Sequence, residues 1–80
     1  MHELGIVIEI VKTIEDFVVK HHLSQVDTLV LQIGKMSPVV PQYIERCYPA
    51  AVDGTTLEEM KLSIEIIEGK DFLIKEIIAY

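Results

Sequence analysis

Residues 4–20 read Leu4-Gly5-Ile6-Val7-Ile8-Glu9-Ile10-Val11-Lys12-Thr13-Ile14-Glu15-Asp16-Phe17-Val18-Val19-Lys20, and whether they make a strand or a helix decides the fold. The opening is mostly β-branched and looks like a strand. Over the whole segment, Glu9, Lys12, Asp16 and Lys20 recur at three and four residues as one polar stripe, with Leu4, Val7, Val11, Ile14 and Val18 opposite. That spacing predicts an amphipathic helix. Ile6, Ile10 and Phe17 widen its apolar side beyond what one small sheet covers, which implies self-association, partner docking or an unusually enveloping or swapped fold. His21 and His22 follow at the helix end, where they read as capping or solvated residues. Neighbours on a helix point about 100° apart, so they do not chelate one ion together.

Outward from this helix, Val26 to Ile33 alternates, with Leu29, Leu31 and Ile33 on one face and Thr28, Val30 and Gln32 on the other. A half-buried strand is expected, ended by Gly34. Lys35-Met36-Ser37-Pro38 reads as a loop, and Pro41 suits the first position of a second helix whose inner face is Val40, Ile44, Cys47 and Ala51. Pro49 should kink or stop that helix near Tyr48. Asp53-Gly54 marks a turn, and Thr56-Leu57-Glu58-Glu59 has capping-box spacing, suggesting one helical turn. Lys61 to Ile67 alternates as a second strand. Glu68-Gly69-Lys70-Asp71 is a turn signal, after which Phe72 to Ile78 should pair back on the second strand as a hairpin. Phe72 and Ile74 share a face that Ile77 does not, so a bulge near Lys75-Glu76 or burial on both sides is needed. The fold class is α+β: helix-strand-helix-strand-strand, a small three-stranded mixed sheet with two helices packed on one face.

Eighty residues, half of them hydrophobic, make one globular domain, 1–80. So small a core often leans on a metal, disulfides or a partner. Cys47 is the only cysteine, which excludes an internal disulfide and a cysteine-cluster zinc site and leaves a homo-oligomer as the expected support. Thirteen acidic against seven basic residues give a net charge of −6 with no basic cluster, against nucleic acid or anionic membranes as partners. No apolar run reaches membrane-span length, and Glu3 stands where a signal peptide would be basic, so a cytoplasmic location is expected. An enzyme is not expected: Cys47 falls on the inner side of its helix with no His or acid spaced to activate it.

The chemistry-bearing stretch is Met1-His2-Glu3. A terminal amine, the amide of His2 if it deprotonates and the His2 imidazole can close two chelate rings on one ion. A nitrogen-rich, square-planar set suits Ni(II) or Cu(II), not zinc, magnesium or calcium. Glu3, through its amide or its carboxylate, is the nearest fourth donor. The plainer reading is that His2 and Glu3 are polar residues ahead of a helix whose N-terminus favours an acid. Protons compete for such donors, so affinity should fall on acidification.

Met-His-Glu-Leu opening an amphipathic helix, the strand ending Leu31-Gln32-Ile33-Gly34, the Ser37 loop, the second helix and the Gly69…Phe72-Leu73-Ile74-Lys75-Glu76-Ile77 ending together resemble the HypA/HybF family, nickel metallochaperones of nickel–iron hydrogenase maturation. The resemblance covers nearly the whole chain. It implies Ni(II) as transported cargo, bound through Met1, His2 and Glu3, and two partners: the maturation GTPase and the hydrogenase large-subunit precursor. In that family a zinc ribbon with two Cys-x-x-Cys pairs lies between the second and third strands; here Ile67-Glu68-Gly69-Lys70 passes straight across, so the insertion expected near 67–70 is absent and no zinc is expected. No Asp or Glu occurs from Gln32 to Gln42, so that loop offers no accessory carboxylate. The competing reading is a protein-interaction or oligomerisation module, or an inert truncated domain, in which His2 is incidental.

Overall fold

The computed structural model describes residues 3–79. Helix α1 spans Glu3–Lys20, strand β1 Val26–Gly34, helix α2 Pro41–Val52, strand β2 Lys61–Ile67 and strand β3 Phe72–Ala79. The order and the mixed α+β sheet are those expected from periodicity. In α1 the buried stripe is Glu3, Val7, Val11 and Ile14, while Leu4, expected inside, is 46% exposed. The helix ends on backbone capping, not on imidazoles. His22 takes a left-handed φ of 54°, with Leu23 N–H donating to the Val18 carbonyl at 3.0 Å and His22 N–H to the Val19 carbonyl at 3.3 Å. These are the two bonds of a Schellman stop, at a position more often filled by glycine. His21 stacks at 4.2 Å on the exposed Phe17 ring.

The sheet corrects the expected hairpin. Its order is β2-β1-β3: β2 pairs parallel to β1, Thr28 opposite Lys61 through Gly34 opposite Ile67, and β3 pairs antiparallel along the other edge of β1. No hydrogen-bonded pairing joins β2 to β3. The parallel pair needs a crossover, which α2 supplies, and β1, the most buried strand, takes the centre with neighbours on both sides. Leu29, Leu31 and Ile33 are buried on one face of β1, while on the other Thr28 and Gln32 stay partly exposed and only Val30, flanked by both neighbouring strands, is buried. Register shifts at Val30/Leu31 because Glu76 and Ile74 face successive β1 residues and Lys75 is extra. This bulge returns Ile77 to the face of Ile74 and Phe72, as their parity demanded.

Helix α2 runs past Pro49 to Val52, where the Pro49 carbonyl accepts the Asp53 N–H at 3.1 Å. Its buried stripe is Ile44, Tyr48 and Val52; Cys47 and Ala51 only flank it. Residues 53–60 contain no helical turn. Instead Thr55 Oγ1 accepts the Leu57 N–H at 3.1 Å and the Glu58 carboxylate accepts the Gly54 N–H at 2.9 Å. These bonds close a turn in place of the expected capping box at Thr56 and Glu59. The core joins Val7, Val11 and Ile14 of α1, Leu29, Leu31 and Ile33 of β1, and the α2 stripe, closed below by Leu57 and Met60.

Tyr48 carries the one polar atom of the α2 stripe into this core, where its hydroxyl donates to the Met60 carbonyl at 2.9 Å. Burial pushes the phenol up to about 12 from 10.0. The folded chain then holds a proton that the unfolded chain releases, so stability present below about pH 10 is lost as pH rises toward 12. Tyr48→Phe is expected to cost about 1–2 kcal/mol at neutral pH, because the Met60 carbonyl loses its donor. It should also flatten the alkaline loss. Urea unfolding of both proteins at neutral and alkaline pH checks both effects.

Candidate metal-binding terminus

Of the expected site residues, Met1 and His2 lie outside the described residues; Glu3 is the first residue of α1. An acid in the first turn complements the helix dipole. Glu3 is nonetheless not a solvated cap: at 8% exposure it is the one buried charged residue described. Its spacing explains this, because Glu3, Val7, Val11 and Ile14 fall on one stripe against the core. The first amides of a helix have no carbonyl within the helix to bond. The Glu3 N–H therefore has no acceptor within the helix.

Topology sets what surrounds this terminus. Only residues 21–25 join α1 to β1, so α1 runs back along the sheet with its start over the Gly34 end. Thr56 Oγ1 donating to the Glu15 carboxylate at 3.2 Å ties the other half of α1 to the loop after α2, so both helices point the same way. The start of α2 and the β2–β3 connection lie at the Gly34 end too. A half-open groove of about 350 Å³ there is lined by Gly34, Lys35, Ser37, Val39, Val40, Pro41 and Ile66. Ser37 Oγ accepts the Val39 N–H at 3.1 Å and shapes the loop. Lys35 Nζ lies 3.0 Å from the Glu68 carboxylate, an exposed pair.

The histidines do not converge. At 1.5 Å per residue His21 is about 27 Å along the axis from Glu3, and His21 and His22 are exposed. Among the described residues no three His, Cys, Asp or Glu side chains gather to hold a metal ion. Cys47 is half-buried as a free thiol beside the core. What sequence reasoning missed is that the connection 68–71 crosses the same end of the sheet, bringing Glu68 and Asp71 there from a distant part of the chain.

A family model described as "Hydrogenase/urease nickel incorporation, metallochaperone, hypA" matches residues 1–77. The chain belongs to the HypA family. Among curated relatives named "Hydrogenase maturation factor HypA", that of Deinococcus radiodurans is 32% identical over 69 residues, 86% of this chain and 58% of its own length. The HypA of Trichormus variabilis is 38% identical over 69 residues, with the same coverage of 86% and 58%. The HypA of Geobacter sp. strain M21 is 36% identical over 69 residues, covering 86% of this chain and 60% of its own. The chain thus spans about three fifths of the HypA relatives it matches. The fold agrees with a solution structure titled as the Ni metallochaperone HypA from Helicobacter pylori: TM-score 0.81, 12% identity, 99% of this chain and 97% of that one. The HypA description is that of a metal carrier and not of a catalyst. No described helix is long and apolar enough to cross a membrane.

Proposed function

We propose that this chain is the nickel-binding domain of a HypA-type metallochaperone, taking Ni(II) as cargo through the Met1 amine, the His2 amide and imidazole, and Glu3. The observation that carries this reading is the start of α1 at Glu3, in a chain that the HypA family model matches from residue 1 to 77. A rigid helix holds the third residue against the core while the first two precede it, so the chelate sits at the tip of an element and not inside a cage. Glu3 is turned toward the core, which favours its backbone nitrogen, after loss of the amide proton to solvent, over its carboxylate as the fourth ligand. A terminal chelate of this kind releases one donor at a time, as transfer to an acceptor requires. The acceptors in this reading are the maturation GTPase and the hydrogenase large-subunit precursor. The short connection from β2 to β3 through residues 68–71 supports reading this domain without a zinc ribbon between those strands.

The test is calorimetric and visible-absorption titration of Ni(II) into untagged protein and into its N-acetylated form. One site per chain with a square-planar band, lost on acetylation, supports the reading. Identical behaviour of the two forms assigns the chain to the alternative, an interaction module in which His2 has no metal to hold.

A further inference from the structure

The sheet has two outer edges, and they differ. On β3 the extra Lys75 makes a bulge and the register with β1 shifts twice, a device that spoils an edge for further pairing. On β2 the register runs unbroken from Lys61 to Ile67, with no proline, glycine or bulge. The Ile67 carbonyl accepts the Lys35 N–H on the β1 side. Backbone groups of a strand alternate between its two edges, so Leu62, Ile64 and Ile66 turn their N–H and C=O groups outward. Among the described residues no strand pairs with them. Their side chains share the helix-covered face. Leu62 and Ile64 pack against the core, while Ile66 is 52% exposed and walls the groove with Val39, Val40 and Pro41.

We propose that the β2 edge is a docking strip for an extended, basic segment of a partner protein, added to the sheet as a fourth strand. Main-chain pairing with Leu62, Ile64 and Ile66 supplies the affinity. The groove supplies a pocket. An added strand lies about 4.8 Å from β2, so its side chain beside Ile66 on the helix-covered face stands at the groove mouth. Charge sets the sign of the partner. Residues 53–68 carry Asp53, Glu58, Glu59, Glu65 and Glu68 against Lys61 alone. Lys35 meets Glu68 and Lys75 meets Glu65. Asp53, Glu58 and Glu59 are exposed where the chain enters β2, and among the described residues no cation lies within ion-pair distance of them. Such a strip attracts a segment that alternates apolar residues and carries arginine or lysine at its ends. It repels a second copy of this chain, whose net charge is −6.

The probe is a capped octapeptide of alternating valine and threonine with arginine at both ends, titrated into isotope-labelled, untagged chain with chelator present so that nickel plays no part. Amide shifts should cluster at Leu62, Ile64 and Ile66 and at Lys35 and Val39 beside the groove. A fully N-methylated peptide, which has no N–H to complete the ladder, should bind at least about tenfold more weakly, and so should a version with glutamate in place of arginine. Ile66→Pro removes one outward N–H and leaves the β1 ladder intact, so it should weaken binding at least about fivefold. Ile66→Arg keeps that N–H and should also weaken binding, by filling the groove and repelling the arginines of the peptide. Leu4→Ala, on the exposed side of α1, should leave binding unchanged, with circular dichroism confirming the fold of every variant. The proposal is overturned by an absence of shifts at millimolar peptide, by shifts that cluster on β3 or α1, or by equal binding of the N-methylated or glutamate peptide. Shifts along β2 on diluting the chain without peptide overturn it too, and give the edge to a second copy.

Discussion

His2→Ala is expected to lower Ni(II) affinity by at least about 100-fold, because losing a direct ligand exceeds the 10–100-fold typical of losing a group that merely orients one. No other imidazole can take its place: His21 and His22 stand at the far end of α1, about 27 Å from Glu3 at 1.5 Å per residue. No described cluster of acidic residues, His or Cys offers a second site. Calorimetry reads the affinity, and the visible band reads the geometry. The variant should lose the square-planar band and retain, at most, weak oxygen-rich binding. Stability should not change, since α1 is held against the core by Val7, Val11 and Ile14. Cu(II) should outcompete Ni(II) at the wild-type terminus, as the Irving–Williams order requires. An unchanged nickel affinity in His2→Ala would sink the terminal chelate and leave the interaction-module reading.

The elements of this fold were legible where one residue pattern ran long enough to outvote local propensity. Glu9, Lys12, Asp16 and Lys20 overrode the β-branched start of α1, and the parity of Phe72, Ile74 and Ile77 located the bulge at Lys75. Pairing was not legible. A four-residue turn signal between two alternating runs reads as a hairpin, yet the parallel register of β1 and β2 outweighs it, and nothing local records that preference. Ile44, Tyr48 and Val52 lie four apart, but Pro49 next to Tyr48 carries a break signal that hides this stripe in the sequence. The terminus divides likewise. Its donors are evident in Met1-His2-Glu3, but the burial of Glu3 is not: the apolar stripe points to Leu4 as the inner residue, whereas Glu3, four before Val7, takes that place. The approach of residues 68–71 to that end of the sheet depends on strand order, which the sequence does not display.

Strand order also makes Gly34 the most sensitive glycine in the chain. Because β2 and β3 flank β1, their connection must pass across the end of β1, and it does so directly over Gly34. Gly34 N–H donates to the Asp71 carbonyl at 2.7 Å, Lys35 N–H to Ile67 at 2.9 Å and Met36 N–H to Gly69 at 2.8 Å. A Cβ on Gly34 would strike the Gly69 carbonyl oxygen and fall 2.6 Å from its carbon and 2.8 Å from Lys70 Cα. All three are backbone atoms, so no side chain can swing aside. Gly34→Val must lift the connection and break its bonds, at a cost on the order of 3 kcal/mol. For a domain this size that lowers the melting temperature by more than about 10 °C. Gly5→Ala is the control: nothing lies within 4 Å of a Cβ there, and α1 should gain up to about 1 kcal/mol. Thermal unfolding by circular dichroism separates the two. A hairpin between β2 and β3 would leave Gly34 open and the valine harmless, so a neutral Gly34→Val would overturn the sheet order, whereas a large loss ties the short 68–71 connection to the central strand.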